Sequence, residues 1–191
     1  MLGTGHVFVA GHDGKWFGVL VDEKDRLEAS AFSNNKGLLV EHLVRLGKTK
    51  HHTDGDHRLI GEMVRAYNGQ LPGRVELNLE NVSEYQQGVY RMLQKIPRGK
   101  VTSYGLIAQA VGSGPRAVGN AVSSNRYAPF VPCHRVVPFN LTIGNYSMNQ
   151  KPSLEGSNVK RQILENEGVV FQDDHVDITC LWKPPQYRTR D

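Results

Sequence analysis

Cysteine is scarce in this chain, with two residues in 191, Cys133 and Cys180, which lie far apart. So few cysteines argue against a disulfide framework, and no paired Cys-x-x-Cys ligands indicate a structural zinc site. Long apolar runs are also missing, and the N-terminal MLGTGHVFVAGHDGKW has neither the basic nor the long apolar region of a secretion signal. We therefore expect an intracellular protein without a membrane partner, in the cytoplasm of a prokaryote or the nucleus of a eukaryote, whose thiols are free.

Net charge gives a weak indication of the partner. The chain carries a net charge of +4 and has a sequence pI of about 9.1, which suits nucleic acid without demanding it. Hydrophobic residues make up 39% of the chain, enough to form the core of one domain or of two small ones. The middle of the chain holds a group of basic residues, namely Arg91, Lys95, Arg98, Lys100, Arg116, Arg126 and Arg135. Any nucleic-acid surface is therefore expected there.

The opening third of the chain has the pattern of short strands. HVFVAG, WFGVLVD and LEASAFS are separated by the turn signals GHDGK and DEKD, which predicts a small antiparallel sheet. Helices are expected from Gly37 to Leu46 and from Arg58 to Tyr67. Between them, His51, His52 and His57 could suggest a metal, but they have no companion cysteine. We favour a solvated polar loop there, with no metal.

A change of pattern near residue 80 predicts a second domain. Ser83 can cap a helix that buries Val89, Leu93 and Ile96 and ends at IPRGK. The expected fold class is α+β. Residues 1–80 would form a small antiparallel-sheet domain of structural role, and residues 81–191 a mainly helical domain.

Two short helices are predicted in the second domain, from Ser103 to Val111 and from Pro115 to Ser124, with GSG between them. This spacing fits a helix-turn-helix, and a packing αα-corner is the alternative. The second helix, PRAVGNAVSSN, has small side chains and a single arginine, Arg116. A helix that reads base edges in the major groove normally carries several long polar side chains. The smooth helix therefore suits a minor groove, with Arg116 free to insert into the duplex.

The stretch FVPCHRVVPF places Cys133 beside two basic residues. His134 supplies a base and Arg135 a positive potential, and both favour a thiolate. In an extended segment neighbouring side chains point to opposite faces, so His134 would reach the sulfur's proton through a water molecule. Glu167, in ILENEGV, is the candidate for orienting the imidazole. An inert buried cysteine is the alternative.

The segments PCHRVV, GNYS and KRQILENEGV, taken in this order, resemble the O6-alkylguanine-DNA alkyltransferase family. YQQGVYRMLQKIPRGKVTSYGLIAQAVG and PRAVGNAVSSN are similar to the family's helix-turn-helix region, so the resemblance runs from Tyr85 to Gly168. It implies a winged helix-turn-helix-like motif and a monomer that binds double-stranded DNA through the minor groove with little sequence specificity. The implied activity is to flip O6-alkylguanine out of the duplex and to transfer its alkyl group irreversibly to the protein's own cysteine. No cofactor is implied, and no metal is expected, because the zinc ligands of some members include cysteines that this chain lacks.

The resemblance also implies roles for individual residues. Cys133 would accept the alkyl group, with His134 as the water-mediated base and Glu167 holding His134. Asn125 would brace the turn before the cysteine segment, and Tyr146 would donate a hydrogen bond to the leaving guanine.

Other residues would contact DNA or the flipped base. Tyr104 would press on the phosphate 3′ to the lesion, Arg116 would fill the gap left by the base, and the carbonyls of Cys133 and Val136 would read its exocyclic amine. The remaining expected contacts are Ala117, Gly119, Arg135 and Ser147.

Two other functions remain open from the sequence. One is a lesion-binding protein without chemistry that recruits other repair factors, against which Cys133 argues. The other is a cysteine hydrolase that uses Cys133 and His134.

The link after GNYS, MNQKPSLEGSNVK, is longer than the family's short glycine-bearing link. An exposed loop at residues 148–158 is predicted. It could be a harmless insertion, or it could open the pocket to bulky alkyl groups, or, as we favour, form a lid in which Met148 covers the alkyl site and restricts large adducts.

Overall fold

The computed structural model describes residues 5–148 and 151–185, without the side chains of residues 147–155. The chain forms two compact units, one made of residues up to 81 together with 126–130, the other of residues 82–125 and from 131 onwards. The sequence placed all of residues 81–191 in one domain and did not indicate that residues 126–130 return to the first unit. This return is held by main-chain and side-chain bonds: Ser30 N donates to Arg126 O (2.7 Å), and Tyr127 Oη donates to Asn78 O (2.7 Å).

The first unit is a four-stranded sheet with two helices. Strands β1 (His6–His12), β2 (Lys15–Val21) and β3 (Leu27–Ser33) form the predicted antiparallel meander. Its first turn is Asp13-Gly14, with both φ angles positive (47° and 76°), as a two-residue hairpin loop requires. A short strand β4 (His52–Asp54) adds to β1 in parallel, which gives the order β3-β2-β1-β4.

Helices α1 (Lys36–Gly47) and α2 (Arg58–Tyr67) begin and end close to the predicted residues. Alternation along the strands sends Val7 and Val9 to a core that includes Leu39 and Leu43 of α1. A separate aromatic cluster joins Phe17 and Phe32 to Tyr67 of α2, with ring centroids 5.5 and 5.1 Å from that of Tyr67. Burial of these apolar side chains is the main stabilising contribution to this unit.

The predicted solvated loop is present only in part: His51 is exposed and lies outside the helices and strands. His52 belongs to β4, and His57 caps α2, accepting from Leu59 N at 3.2 Å while its other ring nitrogen lies 2.9 Å from Asp25. The sequence did not indicate β4, because a strand of three residues is too short to show a clear periodicity. No group of three or more His, Cys, Asp or Glu residues could hold a metal ion in the part of the chain that the structure describes.

The second unit is mainly helical. Its helices are α3 (Glu84–Leu93), α4 (Tyr104–Ala110), α5 (Pro115–Ser123) and α6 (Leu154–Asn166). Short strands pair as β5 (Thr102–Ser103) with β6 (Val136–Val137), β7 (Tyr146–Met148) with β8 (Lys151–Ser153), and β9 (Phe171–Gln172) with β10 (His175–Val176). Cys180 lies in a 3-10 turn (Ile178–Cys180) and packs in the core with Val101, Val137, Leu164 and others, as expected of it.

Helix caps set the positions of α3, α4 and α5. Ser83 forms a full capping box with Gln86 at the start of α3, Ser103 caps α4, and Pro115 is the first residue of α5. Between α4 and α5, Gly112 has a φ of +65°, a conformation that favours glycine. The predicted pair of helices and its tight turn are therefore present, and the wing stays a prediction.

The long link after Tyr146 is not a continuous exposed loop. Residues 151–153 form β8, and α6 begins at Leu154, so the helix starts earlier than the sequence suggested. Residues 149–150 and the side chain of Met148 lie outside the described part, so the lid stays a prediction. The helices of the described residues include none that is long and apolar enough to cross a membrane.

Candidate functional site

The cysteine segment is a 3-10 turn (Cys133–Arg135), so the extended form, for which the water-mediated contact of His134 was argued, is not the one present. Main-chain bonds close it, from Cys133 N to Val131 O (2.8 Å) and from Arg135 N to Pro132 O (3.0 Å). With three residues per turn, neighbouring side chains point about a third of a turn apart rather than to opposite faces. Cys133 is 8% exposed and His134 1% exposed, so both side chains lie inside the unit.

The imidazole of His134 is held by a buried carboxylate. Its Nε2 lies 2.9 Å from Oε1 of Glu167, which follows the last residue of α6. Arg135 donates two hydrogen bonds to the same carboxylate, from Nε to Oε2 (2.8 Å) and from Nη2 to Oε1 (2.7 Å). The third donor of Arg135, Nη1, reaches Ile96 O at 2.7 Å. The bidentate pair fixes the plane of the carboxylate and hence the position of the histidine ring.

This network decides the protonation of His134. Burial would raise the pKa of Glu167, but the hydrogen bonds and charges of His134 and Arg135 outweigh it and lower that pKa to about 2. Burial lowers the pKa of His134 despite the carboxylate, so the ring is neutral at pH 7. A neutral ring beside a carboxylate donates to it, so Nε2 carries the hydrogen and Nδ1 is a free acceptor. Nδ1 is buried and has no hydrogen-bond partner among the described residues.

Arg135 is bonded mainly to the carboxylate of Glu167, and its expected roles beside the thiol and at DNA stay predictions. All of its described bonds go to Glu167 and to Ile96 O, and its side chain is 15% exposed, so its charge is paired with the buried carboxylate. Two other basic residues of the middle segment, Arg98 and Lys100, donate to main-chain carbonyls of the same unit.

The thiol lies among groups that oppose the effect of its burial. Burial raises the pKa of the Cys133 thiol, while hydrogen bonds with Asn125 and Tyr146 and the charge of Lys160 lower it. The sulfur is 3.9 Å from Tyr146 Oη. The amide of Asn125 also donates to Val131 O (2.8 Å). This bond joins the residues on either side of 126–130, the segment that belongs to the first unit. Asn125 therefore lies where the sequence placed it, directly bracing the cysteine segment.

Lys160 of α6 is a residue of the site that the sequence reading missed. It is 1% exposed, and its ammonium donates to Val136 O (2.7 Å) and Ile143 O (2.8 Å). Burial lowers its pKa from 10.5 to about 8. The signal was present, because Lys160, Ile163, Leu164 and Glu167 follow the spacing of one helix face, and a lysine in that apolar stripe has to be buried.

The path from the cysteine turn to Tyr146 depends on Gly144. Its φ is +67°, and a Cβ there would lie 2.8 Å from Pro138 Cγ, so a larger residue would displace the chain. Ser157 Oγ of α6 donates to Gly144 O at 3.0 Å, just before β7. Ser147 is the next residue of β7, paired with Pro152, and its side chain lies outside the described part.

The outer face of α5 is nearly smooth, as its composition indicated. Arg116 is exposed and has no ion-pair partner in the described part of the chain, and Ala117 and Gly119 are half-buried. A Cβ added to Gly119 would meet nothing within 4 Å, so open space lies outside that position. Tyr104, the first residue of α4, is half-buried, and burial together with the nearby Cys133 raises its pKa.

Comparison with known proteins agrees with this geometry. The family described as 6-O-methylguanine DNA methyltransferase, DNA binding domain, matches residues 84–169, from the start of α3 to just beyond Glu167. A methylated-DNA–protein-cysteine methyltransferase of Thermococcus gammatolerans is 34% identical over 170 residues, which cover 81% of this chain and 89% of the relative. One from Thermococcus sibiricus is 36% identical over 135 residues, 69% of this chain and 73% of the relative.

Solved structures give the same relationship. O6-methylguanine-DNA methyltransferase from Pyrococcus kodakaraensis strain KOD1 has a TM-score of 0.65 at 28% identity, over 85% of this chain and 99% of its own. Mycobacterium tuberculosis OGT in complex with DNA has a TM-score of 0.64 at 27% identity, over 85% of this chain and 92% of its own. A similarity that spans both units, together with the buried Cys133 and the hydrogen-bonded pair of His134 and Glu167, assigns this chain to the methylated-DNA–protein-cysteine methyltransferase family.

Proposed function

We propose that this protein repairs O6-alkylguanine in double-stranded DNA by direct reversal, acting as a methylated-DNA–protein-cysteine methyltransferase on its own Cys133. The observation that carries the proposal is the buried Cys133 beside a neutral His134 whose Nε2 hydrogen is held by Glu167, in a chain of this family. This arrangement leaves Nδ1 as a base beside a nucleophile.

The reaction is a displacement at the alkyl carbon. The sulfur of Cys133 forms a bond to that carbon, the bond from carbon to O6 breaks, and guanine leaves with the electron pair and takes a proton. A thiolate suits this step because the sulfur is a soft, strong nucleophile. The product is a thioether, and no group of the site can remove the alkyl group again. Each protein molecule therefore reacts once.

The site residues divide the proton transfers between them. His134 Nδ1 takes the thiol proton through a water molecule, because the 3-10 turn points the two side chains in different directions. Tyr146, 3.9 Å from the sulfur, donates a hydrogen bond to O6 as negative charge develops on the guanine. Asn125 positions the turn, and Glu167 with Arg135 keeps the imidazole in the tautomer that accepts at Nδ1.

DNA would be bound by the helix-turn-helix of the second unit. A structural relative was solved in complex with DNA, which supports this partner. The smooth face at Ala117 and Gly119 suits close approach to a minor groove, with Arg116 inserted into the space of the flipped base and Tyr104 against the neighbouring phosphate. Contacts of this kind distinguish little of the base sequence. We expect the protein to bind as a monomer, in the compartment that contains the cell's DNA.

The test is to incubate the protein with an excess of duplex DNA that carries O6-[methyl-labelled] guanine. We expect one label per protein molecule, found by mass spectrometry on the Cys133 peptide, while Cys133→Ser still binds the DNA. Label on Cys180 alone, or no label, would contradict the proposal. Tight lesion binding without label would favour the lesion-binding alternative, and repeated hydrolysis of acyl esters would favour a cysteine hydrolase.

The second prediction concerns the smooth face of α5. Gly119→Leu should weaken binding to undamaged duplex at least roughly tenfold, about 1.4 kcal/mol, because the new side chain would occupy the space reserved for the DNA backbone. The protein itself should not be destabilised, since leucine is a better helix former than glycine and a Cβ at this position meets nothing within 4 Å. Fluorescence anisotropy of a labelled duplex measures the affinity.

Gly61→Leu is the matched control for this change. Gly61 lies inside α2 of the first unit, and a Cβ added there also meets nothing within 4 Å. The affinity of this control for DNA should stay within twofold of that of the unchanged chain, because α5, and not α2, is the helix proposed to bind DNA. Equal affinities of the two variants would show that α5 does not face the DNA.

A further inference from the structure

The charges of the site do not balance without the thiolate. Glu167 is anionic and is paired with the guanidinium of Arg135, so these two cancel. His134 is neutral because burial lowers its pKa. Lys160 therefore leaves the described site with one unbalanced positive charge while Cys133 is a thiol. Ionisation of Cys133 would bring that sum to zero.

Lys160 also joins two parts of the site. Val136, whose carbonyl it binds at 2.7 Å, follows the cysteine turn directly, and Ile143, bound at 2.8 Å, leads through Gly144 to Tyr146. Both acceptors are neutral carbonyls, and Lys160 forms no salt bridge with a carboxylate among the described residues. A buried ammonium is costly without an anion nearby, so its retention here points to a use beyond packing.

We propose that Lys160 is a positioning residue of the alkyl-acceptor site, whose ammonium fixes the Val136 carbonyl and the approach to Tyr146 and supplies the positive charge that balances the Cys133 thiolate. This inference rests on the proposed function. Lys160 of α6 then provides the positive potential that the sequence analysis expected from Arg135, because the charge of Arg135 is neutralised by Glu167. The pKa of Lys160, about 8, leaves it mostly charged at pH 7, as this task requires.

The interaction with the thiolate takes place among few other titratable groups. Lys160 acts electrostatically on Cys133 and on His134, and the thiolate charge in turn raises the pKa of Lys160. Among the described residues, the other titratable or charged side chains of the site are Tyr104 and Tyr146 beside the thiol, and Arg135 and Glu167 beside His134. Tyr104 and Tyr146 are neutral near pH 7, and the other two form the cancelled pair.

The test measures the thiolate without DNA, so it can fail independently of the proposed function. Alkylation of Cys133 by iodoacetamide is followed against pH by mass spectrometry of the Cys133 peptide. We expect Lys160→Met, which keeps the length of the side chain and removes its charge, to move the midpoint upward by about one pH unit and to slow alkylation at pH 7 roughly tenfold. Lys160→Gln, a neutral donor, should give a similar midpoint.

Arg161→Gln is the matched control, since it removes one positive charge from the neighbouring position of α6. Its guanidinium is paired with Glu165 at 2.9 Å on the surface, away from the thiol network. The alkylation midpoint of this control should not move. A folded Lys160→Met protein with the midpoint of the unchanged chain would overturn the proposal.

A second measurement covers the case in which the Lys160 variants do not fold. In Cys133→Ser the thiolate is replaced by a hydroxyl that stays neutral, and Lys160 is intact. NMR titration of the lysine side-chain signals should then place the pKa of Lys160 lower than in the unchanged chain, because its anionic partner is gone. An unchanged or raised pKa would contradict the pairing of Lys160 with the thiolate.

Discussion

Replacing Glu167 by glutamine should lower the free energy of unfolding of the second unit by about 3 to 5 kcal/mol at pH 7. The side chain of Glu167 is 3% exposed and that of Arg135 15% exposed, so the change leaves a buried guanidinium without its counter-ion. The amide also brings an NH2 group against either Arg135 or His134, both of which are donors. Urea unfolding followed by circular dichroism measures the loss.

The same variant should transfer methyl groups roughly a hundredfold more slowly, the lower end of the usual worth of a positioned general base. Without the carboxylate, the hydrogen of His134 is no longer held on Nε2, and Nδ1 is no longer the certain acceptor. Glu165→Gln is the control: Glu165 is 50% exposed and forms an i,i+4 surface pair with Arg161. That change should cost less than about 1 kcal/mol and leave the transfer rate unaltered.

The pH dependence of stability checks the cause. The folded pKa of Glu167, about 2, lies below its ordinary value of 4.5, so its contribution is complete above pH 4.5 and is lost as the pH falls from 4.5 towards 2. The gap in stability between the unchanged chain and Glu167→Gln should therefore be constant from pH 5 to 7 and close by about 3 kcal/mol below that range. A gap that does not depend on pH would mean that lost packing, not lost charge, destabilises the variant.

Local signals in the sequence predicted the helices well. Ser83 and Ser103 act as caps, and Pro115 opens α5, because each of these effects depends on a few neighbouring residues. The antiparallel meander was predictable for the same reason, since strand alternation and tight turns are local. By contrast, the return of residues 126–130 to the first unit depends on bonds to Ser30 and Asn78, nearly a hundred and about fifty positions earlier.

The sequence predicted which residues form the site better than it predicted how their charges are paired. The sequence named Cys133, His134, Glu167, Asn125 and Tyr146. The structure arranges these five in two hydrogen-bonded groups that meet at the cysteine turn, Cys133 with Asn125 and Tyr146, and His134 with Glu167. The sequence analysis assigned the positive potential to Arg135 because that residue is adjacent in sequence, and it overlooked Lys160. The position of Glu167 in the fold decides that Arg135 is paired with a carboxylate and that Lys160 is not. The sequence pattern does not give that position.

Arg116→Ala should slow repair of O6-methylguanine in duplex DNA roughly a hundredfold and leave reaction with free O6-benzylguanine nearly unchanged. The exposed arginine is proposed to occupy the space of the flipped base, and flipping costs on the order of a few kcal/mol, whereas a free base needs no flipping. A single-stranded substrate, with no partner strand to displace, should show an intermediate loss. Single-turnover rates at saturating DNA separate this effect from weaker binding.

Arg91→Ala is the control for loss of charge, because Arg91 is an exposed arginine on α3 of the same unit. Its effect should be limited to a general attraction for phosphates, which rising salt reduces, and should be at least roughly tenfold smaller than that of Arg116→Ala. Arg116→Lys keeps the charge but not the planar group, so it should recover binding without recovering the full rate on duplex. An equal loss on duplex and on the free base would instead place Arg116 in support of the fold or of Cys133, and would remove it from base flipping.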